Sequence, residues 1–382
     1  MKKYFVVLLV IATFLSGCFA TKTGEKRLTP TAKRNLRNGN IYFSQRNLDK
    51  ARTFLVAVLE EYPENTEANK KMADINFYDA ENDARIAYES YLTAREKYQL
   101  VYDALKDIPR NERDKNQRRW FKDSKKKIDG TWSLILVLAA EELKAGDADS
   151  SKEKFDKLIE LDPTNEKPYK FLLAIVSGEL NELNKSETPD EAKITELNEK
   201  MLSLFGKLVD NNPEGVTERN QYASQLYSMG RYQLAADQFE MLIEMDKFEY
   251  EHYDYYSSAM AELGNFQAAY DKMVIANENI PENVNILKAA SFYSKKIANN
   301  EAYLEYTKAL VELEASPENL QSFCAYLYQQ KDFPNLLIYS EKWFSVDKKN
   351  KTAAQFAAYS AKNLKQKDKY NYYAKKFQAL NK

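Results

Sequence analysis

The chain has 382 residues, with 56 basic and 57 acidic side chains, a formal net charge of −1, 10 glycines, 10 prolines and two cysteines. A balance this close to neutral excludes a global attraction to nucleic acid, and two cysteines cannot build a disulfide framework. Scarce Gly and Pro, with Tyr, Lys, Glu, Ala, Leu and Asn dominating, point to helices almost throughout.

The chain opens on Met1-Lys2-Lys3, a short positive segment, followed from Tyr4 to Phe14 by an apolar run in which Thr13 is the one polar residue. A permanent spanning helix needs roughly 20 apolar residues, so the run has the proportions of a signal-peptide core instead. It ends in Leu15-Ser16-Gly17-Cys18, which resembles the bacterial lipobox. There, small residues admit the backbone to the peptidase and a thiol carries the lipid. The resemblance implies cleavage before Cys18 and covalent diacylglycerol and acyl chains on that residue; no other cofactor is expected. An ordinary secretory signal, cut at a loose small-x-small site around Cys18, is the competing reading. Each buried methylene adds about 0.8 kcal/mol of membrane affinity and more than one chain anchors stably. The mature protein is therefore expected to be exported and lipid-anchored to a bacterial membrane. Phe19 rather than Asp after the acceptor weakly favours the outer membrane in a two-membrane host. Removal of residues 1–17 leaves 54 basic against 57 acidic residues. Cys324 is then without a partner, and its apolar surroundings read as a buried small hydrophobe.

Residues 18–31 are polar and aperiodic and read as the lipidated N-terminus and tether. Beyond them, internal repetition governs. The window 216–249 contains Tyr222-Ala223, Gly230-Arg231-Tyr232, Ala235, Phe239 and Leu242; the window 250–283 contains Tyr256-Ser257, Gly264-Asn265-Phe266, Ala269, Met273, Ala276 and Pro281. The offset is 34 residues throughout. Similar marks fall at Gly39, Tyr42, Ala51, Leu55, Val58 and Pro63, and at Ala139, Gly146-Asp147, Phe155, Leu158 and Pro163 with Ser151 in place of Ala. The window 284–317 keeps Ser291 and Pro317 but has Tyr303 where Ala is expected, and 318–350 and 351–382 fit as weak terminal pairs. Thr66 to about Asp129 reads as a degenerate unit with a long second helix over roughly Glu81–Lys106 and a basic insertion. Glu166 to Pro213 reads as a unit lengthened by the polar loop around Lys185–Asp190.

These windows resemble the tetratricopeptide repeat, a helix-turn-helix unit of 34 residues. In that family a small residue at position 8 and Ala at position 20 let the two helices approach, Gly-x-aromatic forms the turn, and Pro at position 32 ends the second helix. The resemblance implies an all-α, right-handed α-solenoid of seven to nine helix pairs burying a continuous core between neighbours. The expected segments are a signal peptide (1–17), the lipidated tether (18–31), first repeats with a long helix and a basic insertion (32–130), central repeats with one extended unit (131–213), and a regular to degenerate array (214–382).

No catalytic constellation stands out. His252 is the one histidine, no Cys/His set has zinc spacing, and no Gly-rich phosphate loop exists; neither a catalytic nor a metal site is expected. The stretch 110–127 holds nine basic and three acidic residues with Trp120 and Phe121 interleaved. Its residues Arg118, Arg119, Trp120, Lys125 and Lys126 read either as a contact patch for a membrane or partner, or as a solvated helix whose aromatics pack inward; the exported location argues against nucleic acid.

The family resemblance also implies a concave groove, lined by first-helix positions 2, 5, 9, 12 and 13, that receives a peptide or helix. On this chain it names Asn220, Ser224 and Tyr227, then Asp254, Ser258 and Glu262, then Lys288, Phe292 and Lys295, with Gln321 and Tyr328 following. Tyr and Phe supply contact area beside polar groups that fix backbone and carboxylates. The reading is a membrane-anchored, non-enzymatic scaffold that binds other envelope proteins or peptides, as in assembly, secretion or pilus machinery. A nutrient (glycan)-binding lipoprotein of the outer surface with aromatic platforms and an accessory subunit of a peptidoglycan enzyme are the alternatives.

Overall fold

Asparagine and aspartate divide the chain into helices. Asn47, Asn65, Asp114, Asp147, Asp190, Asn265, Asn283, Asn299, Asp332 and Asn350 each accept a backbone N–H from the first turn of the helix that follows. Each such cap satisfies an otherwise orphaned donor and stabilises its helix by about 1 kcal/mol. The frequent Asn of the composition therefore marks helix starts.

The computed structural model describes residues 26–381; the signal segment 1–17 and Cys18 lie outside the described residues. Among the described residues there are eighteen α-helices and no strand. In chain order these are α1 (Pro30–Ser44), α2 (Leu48–Glu61), α3 (Thr66–Asn82), α4 (Ala87–Lys106), α5 (Lys115–Lys144), α6 (Ala148–Leu161), α7 (Glu166–Asn184), α8 (Glu191–Asn211), α9 (Val216–Ser228), α10 (Tyr232–Met245), α11 (Tyr250–Glu262), α12 (Phe266–Asn279), α13 (Val284–Lys296), α14 (Asn300–Leu313), α15 (Pro317–Gln330), α16 (Phe333–Val346), α17 (Lys351–Asn363) and α18 (Lys367–Leu380). None of them is long and apolar enough to cross a membrane.

The chain forms two compact units, one ending at Gly178 and the other starting at Glu179. In the first, successive helices from α1 to α6 pack on one another, around a core that includes Ala51, Leu55, Val58, Ala68, Met72 and Ile75. In the second, α8 to α18 do the same, and α11 also touches α13 and α15 touches α17. The cores there run from Ala223 and Leu226 through Phe239, Tyr253, Met273 and Ala290, and from Val311 through Phe323, Trp343 and Ala354. The first helices α9, α11, α13, α15 and α17 start 34, 34, 33 and 34 residues apart. This is the tetratricopeptide-type arrangement that the windows implied.

The turn inside each short pair has one recurring geometry. Gly146, Gly230 and Gly264 have φ of 91°, 71° and 76°, and Arg46, Ala298, Lys331 and Lys365 take the same turn position with φ of 57°, 57°, 56° and 59°. The residue after each donates its N–H five residues back, as Asn265 does to Met260 at 2.8 Å and Gln366 does to Ala361 at 2.9 Å. These are the closing bonds of a left-handed helix cap. Glycine supplies that conformation without steric cost; four turns adopt it with side-chain-bearing residues.

Four segments differ from the expectation. The second helix of the Thr66 unit is α4, which starts at Ala87; residues 81 and 82 end α3 instead. Asp83, in extended conformation, breaks the run and accepts from the Arg85 N–H at the head of a short 3₁₀ turn over Ala84–Ile86. The basic stretch is no inserted loop. From Lys115 it is the first half of α5, a 30-residue helix opened by a capping box in which Asp114 and Gln117 bond each other's backbone at 2.9 Å. The Glu166–Pro213 unit is long chiefly because α7 and α8 span 19 and 21 residues. The helix α1 begins at Pro30, with Thr29 as its cap, inside the segment read as tether.

Candidate protein-binding face

The periodicity of the first helices in the second unit fixes which side chains are left outside. In α9, Ala223 and Leu226 are buried, Asn220 and Ser224 are exposed, and Tyr227 is half-buried. In α11, Tyr253, Tyr256, Ser257 and Met260 go inward; Asp254 and Ser258 are half-buried and Glu262 is exposed. In α13, Lys288, Phe292 and Lys295 are exposed, and in α15, Gln321 and Tyr328 are exposed.

Four of the predicted positions converge. Tyr227 meets Tyr255 edge-on at 6.1 Å and Tyr232 at 5.3 Å, and Tyr255 is stacked on Phe239 at 5.1 Å. Burial first, and then the carboxylates of Glu262 and Asp254, raise the Tyr227 hydroxyl above the ordinary phenol range. Burial likewise raises Tyr293 of α13, with Asp254 and Glu262 adding to it and a hydrogen bond from Ser258 opposing it. Tyr250 is raised by burial and by Asp254, to which its hydroxyl donates. Asp254, Ser258, Glu262 and Tyr227 thus share one neighbourhood spanning α9, α11 and α13, negative in charge and rich in phenol rings.

Of the other predicted positions, Lys288, Phe292, Lys295 and Tyr328 each have partners of their own. Lys288 pairs with Glu314 at 3.0 Å. Phe292 lies 51% exposed, edge-on to Tyr293 at 5.2 Å and with the Lys296 ammonium 5.3 Å from its ring centre. Lys295 lies 5.6 Å from the Tyr303 ring. Tyr328 stacks on Phe356 at 5.1 Å and leans on Tyr359 at 5.2 Å. Every first helix from α9 to α17 therefore offers a ring, Tyr227, Tyr255, Phe292, Tyr328 and Tyr359 in turn, all exposed except the half-buried Tyr227.

Tyr255, Tyr293, Tyr250, Phe356 and Tyr359 were not among the positions named from sequence. Tyr359 sits at position 9 of the last pair, and carrying the groove positions into the window 351–382 would have found it. Tyr255, at position 6, stands beside the nominal groove positions, so no positional rule points to it.

In the first unit, Arg118, Arg119, Lys125 and Lys126 are exposed on α5 and Trp120 is half-buried. Phe121 turns inward, stacked on Tyr102 at 4.9 Å with the Arg113 guanidinium 3.8 Å from its ring centre. A cleft of about 590 Å³ between α4 and α6 is lined by Leu92, Arg95, Glu96, Leu100, Lys157 and Leu161, among others, and by none of the predicted residues. Among the described residues, no three Cys, His, Asp or Glu side chains converge as metal ligands would.

No protein-family profile matches the chain, and no curated protein matches it. Among solved structures it is similar to YrrB, a tetratricopeptide protein with an unusual peptide-binding site, at 18% identity over 46% of this chain and 91% of that one, with a TM-score of 0.36. It is similar to PilF of Pseudomonas aeruginosa at 14% identity over 56% of this chain and 91% of that one, with a TM-score of 0.33. A tetratricopeptide repeat protein from Parabacteroides merdae matches at 12% identity over 66% of this chain and 93% of that one, with a TM-score of 0.34.

Proposed function

We propose that this array of tetratricopeptide-type repeats is a non-enzymatic scaffold of the bacterial envelope, held to a membrane through lipid on Cys18, that binds protein partners on the first-helix face of its second unit. The observation that carries the binding assignment is the run of rings on five successive first helices, flanked by Asp254 and Glu262 at one end and by Lys288, Lys295 and Lys296 further along. Rigid aromatic rings give contact area at low entropic cost, and the change of charge along the face would fix the direction of an extended segment. A glycan platform would need exposed rings at Trp120 and Phe121 or on the last repeats. Phe121 is stacked on Tyr102 and Trp120 is half-buried, and the exposed Tyr328 and Tyr359 belong to the face assigned here to protein partners.

The test is comparative capture from detergent-solubilised envelope. Wild type is compared with a Tyr227→Ala/Phe292→Ala/Tyr328→Ala variant whose helicity and melting are first matched. Loss of specific partners supports the face; recovery of the same partners in equal amounts overturns it. The anchor is tested separately by palmitate labelling, since a Cys18→Ser chain that still takes up label removes the lipid assignment.

A further inference from the structure

The first half of α5 has two unlike faces. At 100° per residue, Lys115, Arg118, Arg119, Lys122, Lys125 and Lys126 fall within an arc of about 120°, spread over about 16 Å of helix. All six are exposed. The opposite face is fixed in place: Phe121 lies on Tyr102, the Lys127 ammonium sits 3.2 Å from the Phe77 ring centre, and Asp123 takes an ion pair from the buried Lys70 at 2.7 Å. Like charges at i,i+3 and i,i+4 work against a helix, so this stripe is sustained by the packing beneath it.

The nearby carboxylates leave the stripe uncompensated. Asp123 is committed inward and Asp114 caps the helix, while the exposed Glu112 before the helix and Asp129 one turn beyond the stripe pair with none of the six cations. Among the described residues none of the six cations forms an ion pair, although exposed lysines elsewhere do, as Lys106 with Asp103 at 2.9 Å and Lys185 with Glu182 at 2.7 Å. The field reaches α3, where Arg119 adds to the burial that lowers the Lys71 ammonium.

The chemistry of the stripe selects what covers it. Protein interfaces are poor in Lys and are centred on aromatic anchors, whereas four of these six residues are Lys and the rings of the stretch lie off the stripe. Single-stranded nucleic acid needs exposed rings on which bases stack, and this face has none. A line of mobile ammonium groups without an anchor matches a diffuse sheet of negative charge. We propose that this face of α5 lies against an anionic phospholipid surface, as a second membrane contact that does not depend on the first-helix face of the other unit.

The experiment uses the full chain carrying Cys18→Ser, so that no acyl chain contributes. Co-sedimentation is measured with phosphatidylcholine vesicles containing about one-third phosphatidylglycerol and with pure phosphatidylcholine vesicles. The expected result is binding to the anionic vesicles above that to the neutral ones, abolished at about 0.5 M salt, where the Debye length falls to a few ångströms. Arg118→Gln/Lys122→Gln/Lys125→Gln lowers the anionic partition by about a hundredfold, since each cation near such a surface contributes roughly fivefold. Lys207→Gln/Lys348→Gln/Lys349→Gln changes net charge equally and leaves partition unchanged. Equal binding to both vesicle types, or equal loss in the two variants, overturns the proposal. So does salt-sensitive binding to a DNA duplex or a polyglutamate chain in the absence of vesicle binding.

Discussion

The Ser151 hydroxyl donates to the Ala139 carbonyl at 2.8 Å, and the Ser257 hydroxyl donates to the Ala269 carbonyl at 3.1 Å, across the same two repeat positions with the donor on opposite helices. A serine on either side of the closest approach between paired helices thus replaces a methyl contact with a hydrogen bond at nearly unchanged volume. Ser151→Ala loses a neutral bond of about 1 kcal/mol, but Ala gains about 0.5 kcal/mol of helix propensity and the carbonyl keeps its helical partner. Urea unfolding should show a net loss below about 1 kcal/mol for Ser151→Ala and about 1–3 kcal/mol for the overpacking Ser151→Leu. Equal losses would mean that the hydroxyl, and not the space, holds the pair. At the equivalent position Gly39, a Cβ would stand 2.9 Å from Leu55. Gly39→Ala is therefore expected to destabilise even though Ala is the better helix former.

Four turns carry a side chain where three others carry glycine. Arg46, Ala298, Lys331 and Lys365 sit at φ between 56° and 59°, a conformation that costs an L-residue about 1–2 kcal/mol. Glycine returns part of that gain through its larger unfolded entropy, about 0.5–1 kcal/mol. Each change to Gly is expected to add about 0.5–1 kcal/mol, and Gly230→Ala to remove a similar amount. Melting temperatures of the combined Arg46→Gly/Ala298→Gly/Lys331→Gly chain should rise by several degrees. A fall instead would show that the side chains at these turns make contacts that outweigh their backbone strain.

This turn also explains which parts of the fold were legible. Gly230 and Gly264, with Ala235 and Ala269 behind them, carry the repeat where backbone and packing demands coincide, so the windows 216–249 and 250–283 read clearly. At the terminal pairs Lys331-Asp332-Phe333 still echoes the turn. The second turn, however, falls at Lys365, two residues before the Lys367-Asp368-Lys369-Tyr370 that echoes it in the letters, so these pairs read as degenerate though they are regular. The length of α5 was missed for a different reason. Its basic half lacks an apolar stripe, and the Asp114–Gln117 capping box that opens it was the available signal. On the proposed binding face, Tyr227, Asp254, Ser258 and Glu262 follow from repeat position. Their neighbours Tyr250 and Tyr293 depend on how adjacent pairs nestle, which a single repeat does not encode.

His252 should make the second unit sensitive to mild acid. The imidazole is buried, its Nδ1 has no hydrogen-bond partner, and burial holds its pKa below the ordinary histidine value, with Asp246 and Glu251 opposing in part. The unfolded chain takes up a proton near pH 6.5 while the folded imidazole stays neutral. Stability is therefore full above about pH 6.5 and is lost as pH falls through that value toward the folded pKa. Thermal melts between about pH 7.5 and 5.5 should fall more steeply for wild type than for His252→Gln. Parallel curves would show that the imidazole is solvated, and the buried placement would be wrong.

Cys324 tests the packing of the last pairs directly. Its side chain is fully buried between Leu320, Phe323 and Leu327 and beside Trp343, and burial pushes the thiol up to about 12. At neutral pH the reactive thiolate is then almost absent, and no reagent reaches the sulfur without an opening of α15 from α16. A Cys18→Ser chain should react with a disulfide reagent only as fast as that opening occurs, with full reaction in denaturant. The substitutions separate volume from polarity. Cys324→Ala leaves a small cavity costing about 1 kcal/mol, while Cys324→Ser places a hydroxyl in an apolar site and costs about 1–3 kcal/mol. Rapid native labelling, or a Ser variant as stable as the Ala one, would place the residue at a hydrated surface. The register of α15, and with it the outward placing of Gln321 and Tyr328, would then have to be redrawn.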